Sequence, residues 1–253
     1  MSLKDADTVL QGWEKSSFGA AGYQRDVYRR GTGPGVIIVH EIPGITPKVT
    51  AFANDVVAAG FTVLMPSLVG TPGKEITVPY GLSSMAKVCI AREFTHWALN
   101  ETSSIIGWLR ALARNLHNEL GGPGVGAVGM CFSGGFALAM MVDDIMVAPV
   151  VSQPSLPFAM GKKERAADLN LSPDDALTVA RRAAEGCQLL GLRFTGDTLV
   201  GTRFDTLRTL LGAAFIAVEL PSTSKKDHSV LTEQRDEPSV QRVLAFFHEK
   251  LKP

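Results

Sequence analysis

The segment 129–135, GMCFSGG, places a cysteine between small residues directly after a short apolar run. A buried strand that turns at once into a helix needs small residues two positions before and two positions after the turn. Gly129 and Ser133 occupy those positions around Cys131. The thiol would then project above the sheet at a helix N-terminus, where the helix dipole favours a thiolate nucleophile. The amide of Phe132 would face the same space and could donate a hydrogen bond to an oxyanion.

Ser133 is the alternative nucleophile in this segment, since serine is the usual residue at such turns. The residue two positions before it is Cys131, where a glycine would be expected, so Cys131 is the better candidate. The structural alternative is a buried cysteine without a chemical role, which is the common fate of a free cysteine. The position of Cys131 at the centre of the turn favours catalysis over that alternative.

A cysteine nucleophile needs a base, and the base needs a carboxylate that orients it. Two histidines, His228 and His248, follow Cys131 in the chain. His228 lies in a polar loop after a predicted strand, which is where the carboxyl end of a sheet presents catalytic groups. His248 lies inside the last amphipathic helix and is interpreted as a packing or surface residue. We therefore predict that His228 is the base.

Three aspartates compete for the role of orienting acid. Asp197 directly follows a predicted strand, again at a carboxyl end. Asp205 falls where a helix has begun, and an aspartate there more often interacts with the helix dipole or caps the helix. Asp227 adjoins His228 and would point elsewhere along an extended loop. We predict Asp197, which gives the chain order nucleophile, acid, histidine that α/β-hydrolases share.

Strand-like and helix-like segments alternate along the chain and must position these side chains. Short apolar runs predict strands at residues 36–39, 61–66, 125–129, 145–151, 189–195 and 215–220. Helices are predicted from Thr46-Pro47 to about residue 59, through Trp97 to Leu116, from 136 to 142, within the charged segment 162–185 with a cap at Ser172, and over 238–251. The stretch 66–81 is predicted to lie irregularly over the top of the sheet.

This alternation predicts an α/β protein with the α/β-hydrolase fold. Strand, helix, strand in succession implies right-handed parallel crossovers. The expected architecture is a mostly parallel, doubly wound sheet with helices on both faces, in a single domain over residues 1–253. The active site should lie at the carboxyl ends of the strands.

Composition excludes several classes of function. The 25 basic and 25 acidic residues cancel without forming blocks, so we expect neither a nucleic-acid partner nor a membrane partner. No glycine-rich phosphate loop or dinucleotide motif is present, so no cofactor is expected. The cysteines Cys89, Cys131 and Cys187 match no metal-site spacing and form no disulfide framework, and the polar N-terminus lacks a signal peptide core. A cytoplasmic location is therefore expected, and oligomeric state is left open.

Four features of the sequence together resemble the dienelactone hydrolase family. They are the segment 129–135, Asp197 after its strand, His228 in Asp-His-Ser, and the motif HEIPG at 40–44. In that family the nucleophile at the turn is cysteine, and the resemblance covers nearly the whole chain. It implies an enzyme that hydrolyses small esters or lactones through a Cys-His-Asp triad and an acyl-enzyme. Cyclic enol-lactones are the leading substrate class.

The resemblance also implies roles for two residues after the first parallel strand. It assigns to Glu41 a contact with the resting thiol that substrate binding displaces, and to the amide of Ile42 the second oxyanion donor. A carboxylate directly after a buried strand must find a partner, which supports a role for Glu41. The alternative is that Glu41 only supplies negative charge at the N-terminus of the helix starting at Thr46.

The chain departs from the family where substrate binding is concerned. Residues 229–232, SVLT, contain no arginine, whereas family members carry one soon after the histidine to bind the carboxylate of the substrate. Arg92 is a candidate for this role, with a solvated helix charge as its alternative. Ser133 also replaces a glycine that is common there. A general carboxylesterase or thioesterase, and a non-catalytic ligand-binding or redox-sensing protein with a reactive Cys131, are the competing functions.

Overall fold

The computed structural model describes residues 8–90, 94, 100–158, 163–224 and 226–252. Its strands are β1 (Glu14–Ala20), β2 (Tyr23–Arg30), β3 (Gly35–Val39), β4 (Thr62–Pro66), β5 (Val125–Met130), β6 (Met146–Ser152), β7 (Leu189–Phe194) and β8 (Phe215–Leu220). They form an eight-stranded sheet in the order β1-β2-β4-β3-β5-β6-β7-β8. β1 and β2 pair antiparallel with each other, and β2 pairs antiparallel with β4, whereas the remaining neighbours are parallel.

Helices connect the parallel strands. They are α1 (Pro47–Ala58), α2 (Val78–Ile90), α3 (Ile105–Leu120), α4 (Gly134–Met140), α5 (Lys163–Ala167), α6 (Pro173–Ala184), α7 (Arg203–Leu211) and α8 (Glu237–Leu251). The predicted caps of α1 and α6 are confirmed. The hydroxyl of Thr46 accepts from the amide of Val49 at 3.3 Å, and the hydroxyl of Ser172 accepts from the amide of Asp175 at 3.2 Å.

Two apolar layers enclose the sheet and confirm the predicted α/β fold with helices on both faces. Every residue of β3 and β5 is buried, as expected for central strands covered on both sides. One layer contains Trp108 of α3 and Phe136 of α4, together with side chains of α6 and α7. The other layer contains Phe52 of α1 and Phe247 of α8. The carboxyl ends of the parallel strands are therefore held at one edge of a rigid frame.

The structure corrects several predicted elements. The N-terminal hairpin of β1 and β2 was not predicted, because its mixed polar residues and mostly exposed β1 lack the apolar signal of a central strand. α2 begins inside the stretch 66–81 that we expected to be irregular. The expected helix from Trp97 to Leu116 is found over Ile105–Leu120, and Trp97 lies outside the described residues. The segment 162–185 was predicted to be helical with a cap at Ser172, and within it the structure has α5 and, after that cap, α6.

In the described ranges, no helix has the length and apolar character needed to cross a membrane.

Candidate active site

A sharp turn connects β5 to α4 and carries Cys131. Residues 131–133 form one 3₁₀ turn, and Cys131 has a φ of 55°, in the left-handed region that non-glycine residues rarely adopt. A Cβ atom on Gly129 would lie 2.1 Å from the carbonyl oxygen of Ser133, so this position admits only glycine. Such a conformation costs on the order of 1–3 kcal/mol and persists only where surrounding packing enforces it. Cys131 is therefore held in a strained turn at the carboxyl end of β5.

The hydroxyl of Ser133 is used within the backbone of this turn. Its Oγ accepts from the amide of Met130 at 3.0 Å and lies 2.9 Å from the carbonyl oxygen of Val39. Ser133 is fully buried. Its hydroxyl thus joins the turn to the end of β3.

Asp197 and His228 meet at the carboxyl ends of β7 and β8. Nδ1 of His228 lies 2.6 Å from Oδ2 of Asp197, and the Asp197 side chain is 3% exposed. Oδ1 of Asp197 accepts from the amide of Leu199 at 3.0 Å. Because the Leu199 amide fixes Oδ1 and Oδ2 bonds Nδ1 of His228, the carboxylate of Asp197 defines the orientation of the imidazole ring. Nδ1 carries the proton that this hydrogen bond requires.

The other ring nitrogen of His228 lies on the side of the ring away from Asp197. Nε2 is buried, makes no hydrogen bond to an oxygen or nitrogen within the described ranges, and faces the sulfur of Cys131. Burial lowers the pKa of His228, but the negative charge of Cys131 and the hydrogen bond to Asp197 outweigh it and raise the pKa to about 11. His228 is therefore an imidazolium at neutral pH when Cys131 beside it is a thiolate.

Glu41 is buried beside the loop that carries His228. Its carboxylate accepts hydrogen bonds from the hydroxyl of Ser229 at 2.7 Å, from the hydroxyl of Thr232 and from Nε2 of Gln153 at 3.3 Å. Among the residues that the structure describes, no hydrogen bond joins this carboxylate to Cys131. Burial raises the pKa of Glu41, and the hydrogen bonds from Thr232 and Ser229 and the charge of His228 oppose this rise.

The two candidate oxyanion donors lie next to the nucleophile and to Glu41 in the chain. In the described part of the molecule, the amides of Phe132 and Ile42 donate no hydrogen bond to a loop backbone or a side chain. Phe132 is fully buried, and its amide opens the first turn after β5. The free amide of Phe132 lies at the start of a helical turn and that of Ile42 lies in the loop after β3, and free amides of this kind are suitable donors to a developing negative charge.

Three neighbours of this site were not singled out from the sequence. Thr232 and Ser229 are close to His228 in the chain, but short hydroxyl residues in a loop give no signal of a buried partner. Gln153 is fully buried directly after β6 and has a φ of 35°. Its position after the carboxyl end of a predicted strand was the available signal.

His40 is a fourth neighbour, and its role was also missed. The ring is fully buried, with Nδ1 donating to the carbonyl oxygen of Glu41 at 2.8 Å and Nε2 accepting from the amide of Leu68 at 3.0 Å. Burial lowers the pKa of His40 to about 4, so the ring is neutral at physiological pH. His40 thereby connects the loop after β3 to the loop after β4.

The remaining candidates lie elsewhere. The carboxylate of Asp205 binds Arg208, and that of Asp227 accepts from the amides of Thr223 and Ser224. The ring of His248 packs against that of Phe61 at a centroid distance of 5.1 Å. These contacts agree with the structural alternatives that the sequence offered. Arg92 lies outside the described residues.

Side chains that could bind a metal ion are not clustered in the described part of the chain. No group of three or more histidine, cysteine, aspartate or glutamate residues has a suitable arrangement there.

Solved structures share this fold at low sequence identity. An esterase from Pyrococcus furiosus superposes with a TM-score of 0.63 at 13% identity, covering 96% of this chain and 95% of the other. A dienelactone hydrolase from Anabaena variabilis gives a TM-score of 0.62 at 14% identity, covering 95% of this chain and 100% of the other. A thioesterase domain from the curacin biosynthetic pathway gives 0.60 at 10% identity, covering 95% and 100%. No curated protein sequence matches the chain.

The sequence model of the dienelactone hydrolase family matches residues 23–168. This range is more than half of the chain and contains both the HEIPG motif and the turn with Cys131. The chain belongs to the dienelactone hydrolase family and is a hydrolase of the α/β fold.

Proposed function

We propose that the protein hydrolyses small carboxylic esters or lactones, with Cys131 as nucleophile, His228 as base and Asp197 as orienting acid. The observation that carries the proposal is the Asp197–His228 pair, whose 2.6 Å hydrogen bond holds the ring with its buried Nε2 facing the sulfur of Cys131. Acyl transfer requires a nucleophile, a base beside it and an acid that orients the base. Here the nucleophile would be Cys131 in its strained turn, with His228 beside it and Asp197 bonded to His228.

The first half of the reaction forms the acyl-enzyme. The Cys131 thiolate attacks the carbonyl carbon, and the amides of Phe132 and Ile42 bind the resulting oxyanion. When the tetrahedral intermediate collapses, the C–O bond to the leaving group breaks. The leaving oxygen receives a proton from the imidazolium of His228, which leaves a thioester on Cys131 and a neutral imidazole. Removing one such oxyanion donor typically costs about 10²–10³ in rate.

The second half of the reaction returns the free enzyme. Neutral His228 removes a proton from a water molecule, which attacks the thioester carbonyl. Collapse of this intermediate expels the Cys131 thiolate and releases the carboxylic acid product. Asp197 holds the ring in the tautomer that keeps Nε2 directed at the reacting atoms and stabilises the imidazolium that forms.

The substrate class is a small molecule with an ester-type bond, and cyclic enol-lactones are our leading candidates from the family. A carboxylesterase or thioesterase acting on neutral substrates is the second candidate, because residues 229–232 carry no arginine for a substrate carboxylate. Arg92 is our candidate for binding such a carboxylate. A cytoplasmic location is consistent with the need to keep Cys131 reduced.

The test compares hydrolysis of a dienelactone, a neutral aryl ester and a thioester by the wild type and Cys131→Ala. We expect the wild type to hydrolyse at least one substrate and Cys131→Ala to lose that activity. Cys187→Ala is the matched control, because its thiol is half-buried and contacts only the carbonyl oxygen of Met146 among the described hydrogen bonds. Full activity of Cys131→Ala would disprove the assignment, and preference among the three substrates identifies the class.

A further inference from the structure

A buried polar cluster joins three loops at the carboxyl edge of the sheet, and Glu41 is at its centre. Glu41 belongs to the loop after β3, Gln153 to the loop after β6, and Ser229 and Thr232 to the loop after β8. Glu41 is 2% exposed, Gln153 is fully buried, and Ser229 and Thr232 are 7% and 3% exposed. Water cannot substitute for these contacts easily, so the cluster fixes the loops relative to one another.

The donors around Glu41 are arranged for an acceptor with two oxygens. Ser229 and Gln153 donate to Oε2, and Thr232 donates to Oε1. The amide of Gln153 is itself oriented, because its oxygen accepts from the hydroxyl of Ser152 and its nitrogen therefore faces Glu41. An ionised carboxylate accepts at both oxygens, so this side chain satisfies all three donors at once.

Two of these donors belong to the loop of the proposed base. Ser229 directly follows His228 in the chain, and Thr232 lies one turn further on, where its amide donates to the carbonyl oxygen of Ser229 at 3.3 Å. Asp197 fixes the ring of His228 from one side through Nδ1. The backbone behind that ring is fixed by Glu41 through Ser229 and Thr232.

We propose that Glu41 is a positioning residue for His228, anchoring the histidine loop through Ser229 and Thr232, with Gln153 holding its carboxylate in place. This inference rests on the proposed function, in which His228 serves Cys131. It differs from a role in which Glu41 acts directly on the thiol, because the hydrogen bonds of its carboxylate in the described residues come from the histidine loop and from Gln153. The two roles make opposite predictions when His228 is removed.

The experiment measures the rate at which iodoacetamide alkylates Cys131 at neutral pH, followed by mass spectrometry of the peptide that contains Cys131. We expect Thr232→Val, which keeps the shape but removes the donor, to slow alkylation about tenfold, the effect of losing one hydrogen bond to a charged group. Thr232→Ser keeps the donor and should restore the rate to within about twofold. Glu41→Ala should slow alkylation at least as much as Thr232→Val.

The same substitutions are then made in a His228→Gln background. We expect Thr232→Val and Glu41→Ala to change the alkylation rate there by less than about twofold, because their effect passes through His228. Persistence of the full Glu41→Ala effect in that background would overturn the proposal in favour of direct action on the thiol. Equal rates for Thr232→Val and Thr232→Ser in the wild-type background would overturn it as well.

Alkylation does not require an ester substrate, so this test is separate from that of the proposed function. If hydrolysis survives in Cys131→Ala, the proposed function fails whatever the alkylation rates are. If hydrolysis depends on Cys131 but alkylation is insensitive to Glu41 and Thr232, only the positioning role fails. The hydrolysis of active variants gives a further check, since a displaced base should lower kcat and leave KM nearly unchanged.

Discussion

The hydroxyl of Ser133 lies 2.9 Å from the carbonyl oxygen of Val39, so the turn that carries Cys131 is joined directly to the strand that leads to Ile42. The same oxygen accepts from the amide of Met130 at 3.0 Å. The two candidate oxyanion donors, Phe132 and Ile42, come from the two segments that this hydroxyl connects. Their spacing therefore depends on the hydroxyl of Ser133.

Replacing Ser133 with alanine should weaken both stability and catalysis. The buried amide of Met130 would lose its acceptor, which costs about 1–3 kcal/mol in free energy of unfolding. Urea unfolding measures this change, and Ser83→Ala is the control, because the exposed Ser83 hydroxyl of α2 bonds only the carbonyl of Tyr80 in the part of the chain that the structure describes. Equal stabilities of the two variants would contradict the role assigned to Ser133.

Gly129→Ala tests the packing of the turn. The new Cβ atom would lie 2.1 Å from the carbonyl oxygen of Ser133, which is backbone and cannot move without displacing Cys131. We expect a loss of about 2 kcal/mol or more in the free energy of unfolding, together with a fall in hydrolysis. Gly19→Ala in β1 is the control, since nothing lies within 4 Å of its added Cβ. A stability loss no larger than that of the control would show that the turn can relax.

The sequence predicted the central parallel strands and the turn because their signals are local. β3 and β5 are short apolar runs, and β3 is followed directly by the motif HEIPG. The small residues Gly129 and Ser133 on either side of Cys131 can also be identified from the sequence. The hairpin of β1 and β2 was missed because an exposed edge gives little apolar periodicity. Its pairing with β4 depends on contacts between segments distant in the chain.

Acidification should destabilise the protein through His40. Burial lowers its pKa to about 4, whereas the unfolded chain takes up a proton on this histidine near pH 6.5. The stabilisation is fully present above pH 6.5 and is lost as pH falls toward 4, because only the unfolded state binds the proton in that interval. Between about pH 7 and about pH 5, this one group should cost about 2 kcal/mol of unfolding free energy.

The measurement for His40 compares the wild type with His40→Gln by urea unfolding at both pH values. The variant should be less stable at neutral pH, because glutamine cannot reproduce both ring hydrogen bonds. Its stability should nevertheless fall less on acidification, by about the 2 kcal/mol that His40 contributes. An identical loss in both proteins would show that the ring takes up its proton in the folded protein as readily as in the unfolded chain.

Asp197→Asn should reduce kcat by about 10³–10⁴, because the amide no longer fixes the ring tautomer or stabilises the imidazolium of His228. Asp227→Asn and Asp205→Asn are matched controls. Asp227 adjoins His228 in the chain, but its carboxylate bonds the Thr223 and Ser224 amides, and Asp205 bonds Arg208. Both controls should keep activity within about threefold. A loss in either control as large as that of Asp197→Asn would reassign the acid.

The site itself was only partly predictable. Cys131 lies in the turn after β5, and Asp197 and His228 lie in loops after β7 and β8. Because parallel sheets place functional groups at the carboxyl ends of their strands, the sequence predicted that these three side chains lie at the same edge of the sheet. The partners of Glu41 could not be found this way. Gln153 and Thr232 are 79 residues apart in the numbering of the chain, and only the packing of two loops against the end of β3 makes them neighbours.

The most direct test of the account is to trap the intermediate that it requires on Cys131. The enzyme is mixed with a neutral aryl ester, quenched with acid during the first turnover and digested, and the peptides are weighed. For the wild type, we predict one added acyl group on the peptide containing Cys131. This adduct should accumulate more slowly in His228→Gln, and Cys131→Ala should carry no added group. An acyl group on another residue, or turnover in Cys131→Ala without such an adduct, would contradict Cys131 as the nucleophile.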